Sequence, residues 1–342
     1  MNRQLRALLV IPTGVAAAIG GYAGDGLPVA RAVASVVEDL ITHPNVLNGA
    51  SLYWQMPNVH YVEGYALDQF ALGTWDLRPV HSNRIGVIFD CSIEPELAAR
   101  HHQVIAAARA TLGLNIVATV ESDRALGVGL ELGTRVTWGT IAQPDSLLRA
   151  AAQLIEQNQV EAIAVITRFP DDSGSAVLQN YRQGHGVDPI AGAEAVISHL
   201  ISREFMVPCA HAPALQPLPL DTTIGDRACA EEIGYTFLPC VLVGLSRAPQ
   251  LVKAGSGVLN VADLDLAIAP ESACGGTAML ALAARHLPLI LVKENRTNLA
   301  VNSTCLAIKP IMVDNYLEAI GVIAAIKAGV NPQTLCLKSL KI

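Results

Sequence analysis

Short, continuously apolar runs alternating with helix-length amphipathic segments constrain this chain more than any other feature. Arg84-Ile-Gly-Val-Ile-Phe-Asp90 reads as a strand. Pro95 to Leu112 follows as a helix with Leu97, His101, Val104, Ile105, Ala108 and Leu112 on one stripe. Asn115 to Val120 is the next strand, Pro144 to Gln157 the next helix, and Glu161 to Thr167 the strand after it. Pro189 to Phe205 reads as a helix and Met206 to Ala210 as a strand. Leu264 to Ala269, Thr277 to His286 and Leu287 to Val292 add one more strand–helix–strand unit. Strands apolar along their whole length are buried on both faces, which is the mark of a parallel sheet covered by helices. The expected fold is therefore α/β: a mainly parallel sheet with helices on both faces, Rossmann-like and three-layered, with right-handed crossovers. No linker, charge block or repeat divides residues 1–342, so one domain is expected. Residues 84–342 read as its core. Residues 1–80 hold Tyr22, Tyr53, Trp54, Tyr61, Tyr65, Phe70 and Trp75, and read as a cap or interface lobe, or else as a peripheral layer of the same core.

Charge is thin: 23 basic and 30 acidic residues make 15% of the chain, against roughly 25% in an ordinary soluble domain. Such a chain buries much of its surface, in a large core or between subunits, and a homo-oligomer is expected. A disordered chain is excluded by the 51% apolar share. A nucleic-acid partner is not expected, because net charge is −7 and no basic run occurs. No stretch gives the ~20 unbroken apolar residues of a spanning helix, so no membrane partner is expected either. Arg3 and Arg6 before Leu8 to Gly21 imitate a secretory leader. Pro12, Gly14, Gly20 and Gly21 break that helix, so Leu8 to Pro12 reads better as a buried first strand. Seven scattered cysteines suit reduced thiols and a cytoplasmic location.

Ligands of parallel sheets bind beyond the carboxyl ends of the strands, so strand-end loops hold the candidates. The first is Pro270-Glu271-Ser272-Ala273-Cys274-Gly275-Gly276-Thr277. Gly275, Gly276 and Thr277 open a helix and offer an anion its N–H groups. The same position favours the Cys274 thiolate, and Glu271 supplies a base. The bland alternative is a tight turn with a bystander thiol. The second is the glycine-dense loop Thr13 to Gly26, with Gly20, Gly21 and Asp25, which is neither a P-loop nor a dinucleotide fingerprint. The third follows the Glu161 strand. Arg168 there is a clamp for an anion, Asp171 and Asp172 could hold Mg²⁺, and Asp188 before Pro189 reads as a helix cap. The fourth is Pro208-Cys209-Ala210-His211, where Cys209 and His211 share one face of an extended chain as a nucleophile–base pair or two metal ligands. Two ligands, even with His185 as a third, fall short of a zinc site, so no metal is assigned and the cofactor is left unknown. His199 reads as solvated, opposite its helix's apolar stripe, and Asp90 as a secondary candidate. Arg247 after an apolar strand and Asn295 on a polar rim complete the anion-binding set.

Four strings carry a resemblance: Ile11-Pro-Thr-Gly…Ile19-Gly-Gly-Tyr-Ala-Gly-Asp25, Gly186-Val-Asp-Pro-Ile-Ala-Gly-Ala-Glu-Ala-Val-Ile-Ser-His199, Pro208-Cys-Ala-His-Ala-Pro-Ala214 and Tyr235-Thr-Phe-Leu-Pro-Cys240. Over nearly the whole chain it resembles an uncharacterised family of cyanobacteria and plants, which implies a soluble housekeeping or plastid-type role and brings no established activity. A shorter likeness rests on Ala23-Gly-Asp25 and on Asp188-Pro189…Gly192…Glu194 leading to Arg203 and Pro208. It is similar to the nicotinate-nucleotide–dimethylbenzimidazole phosphoribosyltransferases, although that family's glycine-rich catalytic region and late glutamate have no counterpart here.

The expected function is an enzyme acting on a small anionic metabolite by group transfer or hydrolysis. Arg168 and the Gly275–Thr277 helix start would bind the anion, and Cys274, His211, Glu271 and Cys209 would do the chemistry. A phosphoribosyltransferase-like enzyme, a metabolite sensor without turnover and a purely structural oligomer are the alternatives. The catalytic reading requires Arg168, His211 and Cys274 to emerge on one rim.

Overall fold

The first apolar run becomes β1 (Arg6–Leu9), and its neighbours on both sides are parallel strands. The computed structural model describes residues 4–48, 52, 54–132, 137–171, 175–229, 238–304 and 308–336. In it β1 lies inside a six-stranded sheet with β2 (Asp39–Thr42), β3 (Val59–Tyr61), β12 (Leu266–Pro270), β13 (Leu289–Val292) and β14 (Ile311–Val313), in the order β14-β13-β12-β1-β2-β3. Every pairing in it is parallel. A second parallel sheet of four strands runs β10 (Cys209–Ala214), β9 (Ala162–Arg168), β5 (Ile85–Phe89), β6 (Ile116–Glu121). Two antiparallel ribbons complete the strands: β4 (Trp75–Arg78) with β11 (Gln250–Lys253), and β7 (Val128–Leu132) with β8 (Thr137–Ile141).

Helices cover both faces of both sheets. On one face of the six-stranded sheet, Leu8, Ile41, Ala267, Leu289 and Leu291 pack with α3 (Gly64–Leu72) and α9 (Thr277–Ala284). Its other face turns Ala7, Leu9, Leu40, Ile268 and Ile290 toward α1 (Leu27–Ala34) and α10 (Tyr316–Lys327). That cluster runs on into Ile85, Val87, Ala162 and Ala210 of the four-stranded sheet, with α4 (Pro95–Leu112) and α8 (Leu238–Ser246). The remaining face sets Ile88, Ile163, Val165 and Cys209 against α5 (Pro144–Asn158) and α7 (Ala191–Phe205). Two short helices, α2 (Pro44–Leu47) and α6 (Ala176–Arg182), sit on loops at the strand ends. Leucines such as Leu8 and Leu9 are fully buried, each worth about 1.5–3 kcal/mol.

The three-layer expectation therefore holds for each of two sheets. Three differences have physical causes. Residues 1–80 are no cap: they supply β1, β2 and β3 to the larger sheet, β1 at its interior. The apolar run read as a strand near residue 240 is α8, whose Leu238, Cys240, Val241, Leu242 and Leu245 are buried. A short helix apolar on most sides shows no 3.6-residue period. The strand expected from Met206 begins at Cys209 instead, because Met206 takes a left-handed conformation that ends α7. Tyr235 to Phe237 lie outside the described residues.

Candidate functional site

The carboxyl ends of β1, β2 and β3 face those of β9 and β10 across a cavity of about 970 Å³. Its walls come from loops after these strands and from one side of α7. This is where parallel sheets place ligands, and the volume suits a metabolite of ordinary size.

Helix α7 brings in one set of titratable groups. Asp188 precedes it and Oδ1 accepts from the Ile190 N–H at 3.0 Å, a turn ahead of the helix; the expected N-cap with Pro189 in the first turn is corrected, because α7 starts at Ala191 with Ile190 as its uncapped N-cap residue. Burial and the nearby Glu194 charge also push its carboxyl up, to about 7. Glu194 lies in the first turn, and its Oε1 is 3.4 Å from Nε2 of His211 on β10. Both side chains are largely shielded, at 16% and 15% exposure. Nδ1 of His211 is buried and finds no hydrogen-bond partner among the described residues. Two glycines allow this placement. A Cβ on Gly192 of α7 would stand 2.3 Å from the Trp138 Cα, and one on Gly139 of β8 would stand 2.3 Å from the Ala193 Cβ. The helix start can therefore lie directly on the β8 backbone.

The six-stranded sheet supplies the facing set. Glu63 follows β3, is buried, and its carboxylate accepts from the Tyr65 and Ala66 N–H groups that open α3. The same carboxylate holds Nε2 of His199 at 2.9 Å. Burial would lower the His199 pKa, but the Glu63 hydrogen bond and charge, with Asp68 behind them, raise it. Asp68 and Glu63 both lie on the α3 side, so α7 is tied to α3 through His199. His43 follows β2 and lines the same cavity.

Beside the cavity, where Ala23 and Tyr181 line it, a latch joins loops of the two sheets. Tyr22 stacks on Tyr181 with ring centroids 4.5 Å apart, and its hydroxyl donates to the Tyr181 carbonyl at 2.7 Å. Arg227 lies over the Tyr22 ring at 5.0 Å and pairs with Asp25. Burial raises the Asp25 pKa while Arg227 draws it back down.

The structure brings few of the expected residues together. His211 lines the cavity. Cys209 shares its face of β10 but is fully buried, and burial holds its thiol well above the ordinary range. Cys274 is sealed in the core behind the larger sheet, donates to the Glu271 carbonyl at 3.1 Å, and has a thiol pushed up to about 11 by burial and by Glu271. The expected favouring of its thiolate is thus corrected: burial outweighs the helix start. Glu271 is half-buried beside it and does not line the cavity. Gly275, Gly276 and Thr277 are exposed, but the α9 start they form already holds a carboxylate: Ala278 N–H donates to Asp68 Oδ1 at 2.9 Å. Arg168 also lies off the cavity wall, spent on Glu94 and Asp171. Gly20, Gly21 and Asp25 belong to the latch loop, where Gly20 has φ +85 and its hydrogen faces Ile11. Asn295 is buried and clamps that loop by bonding both the N–H and the carbonyl of Ile19. Arg247 is exposed after α8, not after a strand. Asp90 is buried and accepts from Ser92, Leu126 and Arg168 backbone groups, a structural role. Asp172 lies outside the described residues. Among the described residues, no three His, Cys, Asp or Glu side chains gather as metal ligands. Arg168, His211 and Cys274 do not share one rim.

Thiol reactivity checks this directly. Iodoacetamide should modify the exposed Cys91, Cys229 and Cys336 of the native protein well before Cys209, Cys240 and Cys274, read by peptide mass spectrometry. Fast labelling of Cys274 would contradict its burial.

Glu63 and His43 escaped the sequence reading, Glu194 entered it only through the phosphoribosyltransferase likeness, and Asp188 and His199 were taken for a cap and a solvated side chain. Residue order held one usable signal: His199 lies on the side of α7 opposite the apolar stripe of Ala193, Ile197 and Ile201 that faces its sheet. A polar side of a helix usually faces water; here it faces a second sheet.

A family described as "Protein of unknown function (DUF3326)" matches residues 6–336, and the chain belongs to it. An "Uncharacterized lipoprotein" of a Synechococcus strain is 58% identical over 339 residues, covering 98% of this chain and 94% of that protein. The resemblance to an uncharacterised family therefore stands; the phosphoribosyltransferase likeness gains no support. No solved structure matches the chain. The cyanobacterial relative also corrects the expected cytoplasmic location, since a protein alike over nearly its whole length is named a lipoprotein. Among the described residues no helix is long and apolar enough to cross a membrane.

Proposed function

We propose that this chain is an enzyme that transfers a proton on a small organic metabolite held between its two sheets, with His211, Glu194 and Asp188 as the acid–base set. The observation that carries it is His211: Nε2 lies 3.4 Å from Glu194, and Nδ1 is buried without a partner among the described residues. A group that moves protons works best with a pKa near the working pH, and Asp188, at about 7, is raised by burial and by the charge of that same Glu194. A buried carboxyl pushed away from its ordinary value, as at Asp188, is a mark of acid–base sites. Group transfer and hydrolysis both draw on such a set. The charge of the cavity bears on the substrate. Glu63, Asp171, Asp188 and Glu194 line it with Arg100 and Arg182. That balance favours an uncharged or singly charged metabolite over a strongly anionic one.

A thermal-shift screen of metabolites followed by turnover assays on each hit tests the reading. Ligand at one hundred times Kd should add about 2.7 kcal/mol of stability. His211→Ala should keep binding and lose turnover by about 10²–10⁴-fold. A hit bound equally by both forms and turned over by neither would make the protein a sensor.

A further inference from the structure

We infer that His43 presents a neutral imidazole N–H to the ligand, so that the ligand places a carbonyl-type acceptor oxygen (ketone, amide or carboxylate) at that end of the cavity. This rests on the cavity being a ligand site, and it names the substrate class. The argument starts from the chain. His43 directly follows β2 and caps α2, with Pro44 as the first helical residue. Its position is fixed by a strand behind and a proline ahead. His43 is 8% exposed and lines the cavity. The Ile11 N–H, just past β1, donates to Nε2 at 3.1 Å in buried surroundings. An imidazole nitrogen that accepts a hydrogen bond carries no proton, so the neutral ring carries its proton on Nδ1. Placing a second proton on Nε2 would set N–H against N–H in the core.

Burial supports the same state, holding the ring's pKa at about 4 although the Glu63 charge pulls upward. Glu63 is the charged group acting on the ring, and its own oxygens are engaged by Tyr65, Ala66 and His199. His43 is therefore neutral throughout the range in which histidine usually switches. Among the described residues the ring's one hydrogen-bond partner is the Ile11 N–H on Nε2, which leaves Nδ1 without an acceptor. A donor held against a cavity with no protein acceptor calls for an acceptor from the ligand. An ammonium group brings only donors and is excluded by the same logic. A neutral imidazole polarises a carbonyl without the desolvation that a cation would suffer there. Across the cavity stand His211, Glu194 and Asp188. One wall would polarise the oxygen and the other would move the proton.

The test is ¹⁵N-resolved imidazole spectroscopy of the full chain, with His43 assigned by its loss in His43→Gln. Gln keeps an acceptor for Ile11 and a donor for the cavity; if that variant does not fold, contact with the Ile11 amide proton gives the assignment. The expected spectrum is the Nδ1–H tautomer, unchanged between about pH 5 and 8. Acetone, acetamide or acetate at high millimolar concentration should shift the Nδ1–H resonance, and ethylammonium should not. The Nε2–H tautomer, titration in that range, indifference to all three probes, or a response to inorganic phosphate alone would overturn the proposal. The tautomer is read without substrate, so its failure leaves the acid–base reading standing. A metabolite screen without hits would sink that reading and leave the tautomer in place.

Discussion

Gly192→Ala is expected to destabilise the protein by about 3 kcal/mol and to abolish ligand binding, although it adds one methyl group. The added Cβ would stand 2.3 Å from the Trp138 Cα and 2.5 Å from the Thr137 carbonyl oxygen. Both are backbone atoms, so no rotamer relieves the clash. Either α7 lifts from β8 or the ribbon moves. Asp188 and Glu194 flank position 192 and travel with α7, away from His211. Gly321 of α10 is the matched control, since a Cβ there meets nothing within 4 Å. Gly321→Ala should add about 0.5–1 kcal/mol, because alanine loses less backbone freedom on helix formation. Urea midpoints of the two variants should therefore move in opposite directions. Equal stability of Gly192→Ala and the native chain would mean that α7 does not rest on β8 as described.

That helix also shows how much of the molecule residue order reveals. Its existence and length follow from local pattern, as do Pro95 to Leu112 and the apolar strands: a helix needs a stripe, and a doubly covered strand needs a run. The division into two sheets does not follow, because pairing of β1 with β12, some 260 residues apart, leaves no local trace. The place of the cavity was legible and its lining was not. Strand-end loops do hold the cavity, but the chosen residues were the chemically conspicuous ones. Arg168 looked like an anion clamp and is matched by Glu94 and Asp171; Cys274 looked activated and is entombed. Ordinary-looking residues, Glu63 after a strand and His199 on a helix, meet only because α7 and α3 come from different sheets.

Glu63→Ala should be the most damaging change to that junction. The carboxylate is 3% exposed and does two jobs, capping α3 through Tyr65 and Ala66 and holding His199 of α7. A lost cap costs about 0.5–2 kcal/mol. Stranding one member of a shielded ion pair costs about 3–5 kcal/mol, which the 43% exposure of His199 reduces. A combined loss of about 3 kcal/mol is expected by urea denaturation. The pH dependence separates the two jobs. The His199 pKa is raised in the folded protein, so the folded state holds its proton more tightly than the unfolded chain does. The stabilisation from that pair is complete below the ordinary histidine value and disappears as pH rises through the folded one. Glu63→Gln keeps an acceptor for the α3 N–H groups and removes the charge. It should keep the cap and lose the decline in stability that the native chain shows as pH rises above about 6.5. Glu63→Ala should lose both. If both variants instead retained the native pH slope, His199 would not be holding its proton through this pairing, and the tie between the two sheets would rest on their shared hydrophobic cluster and the Tyr22–Tyr181 latch.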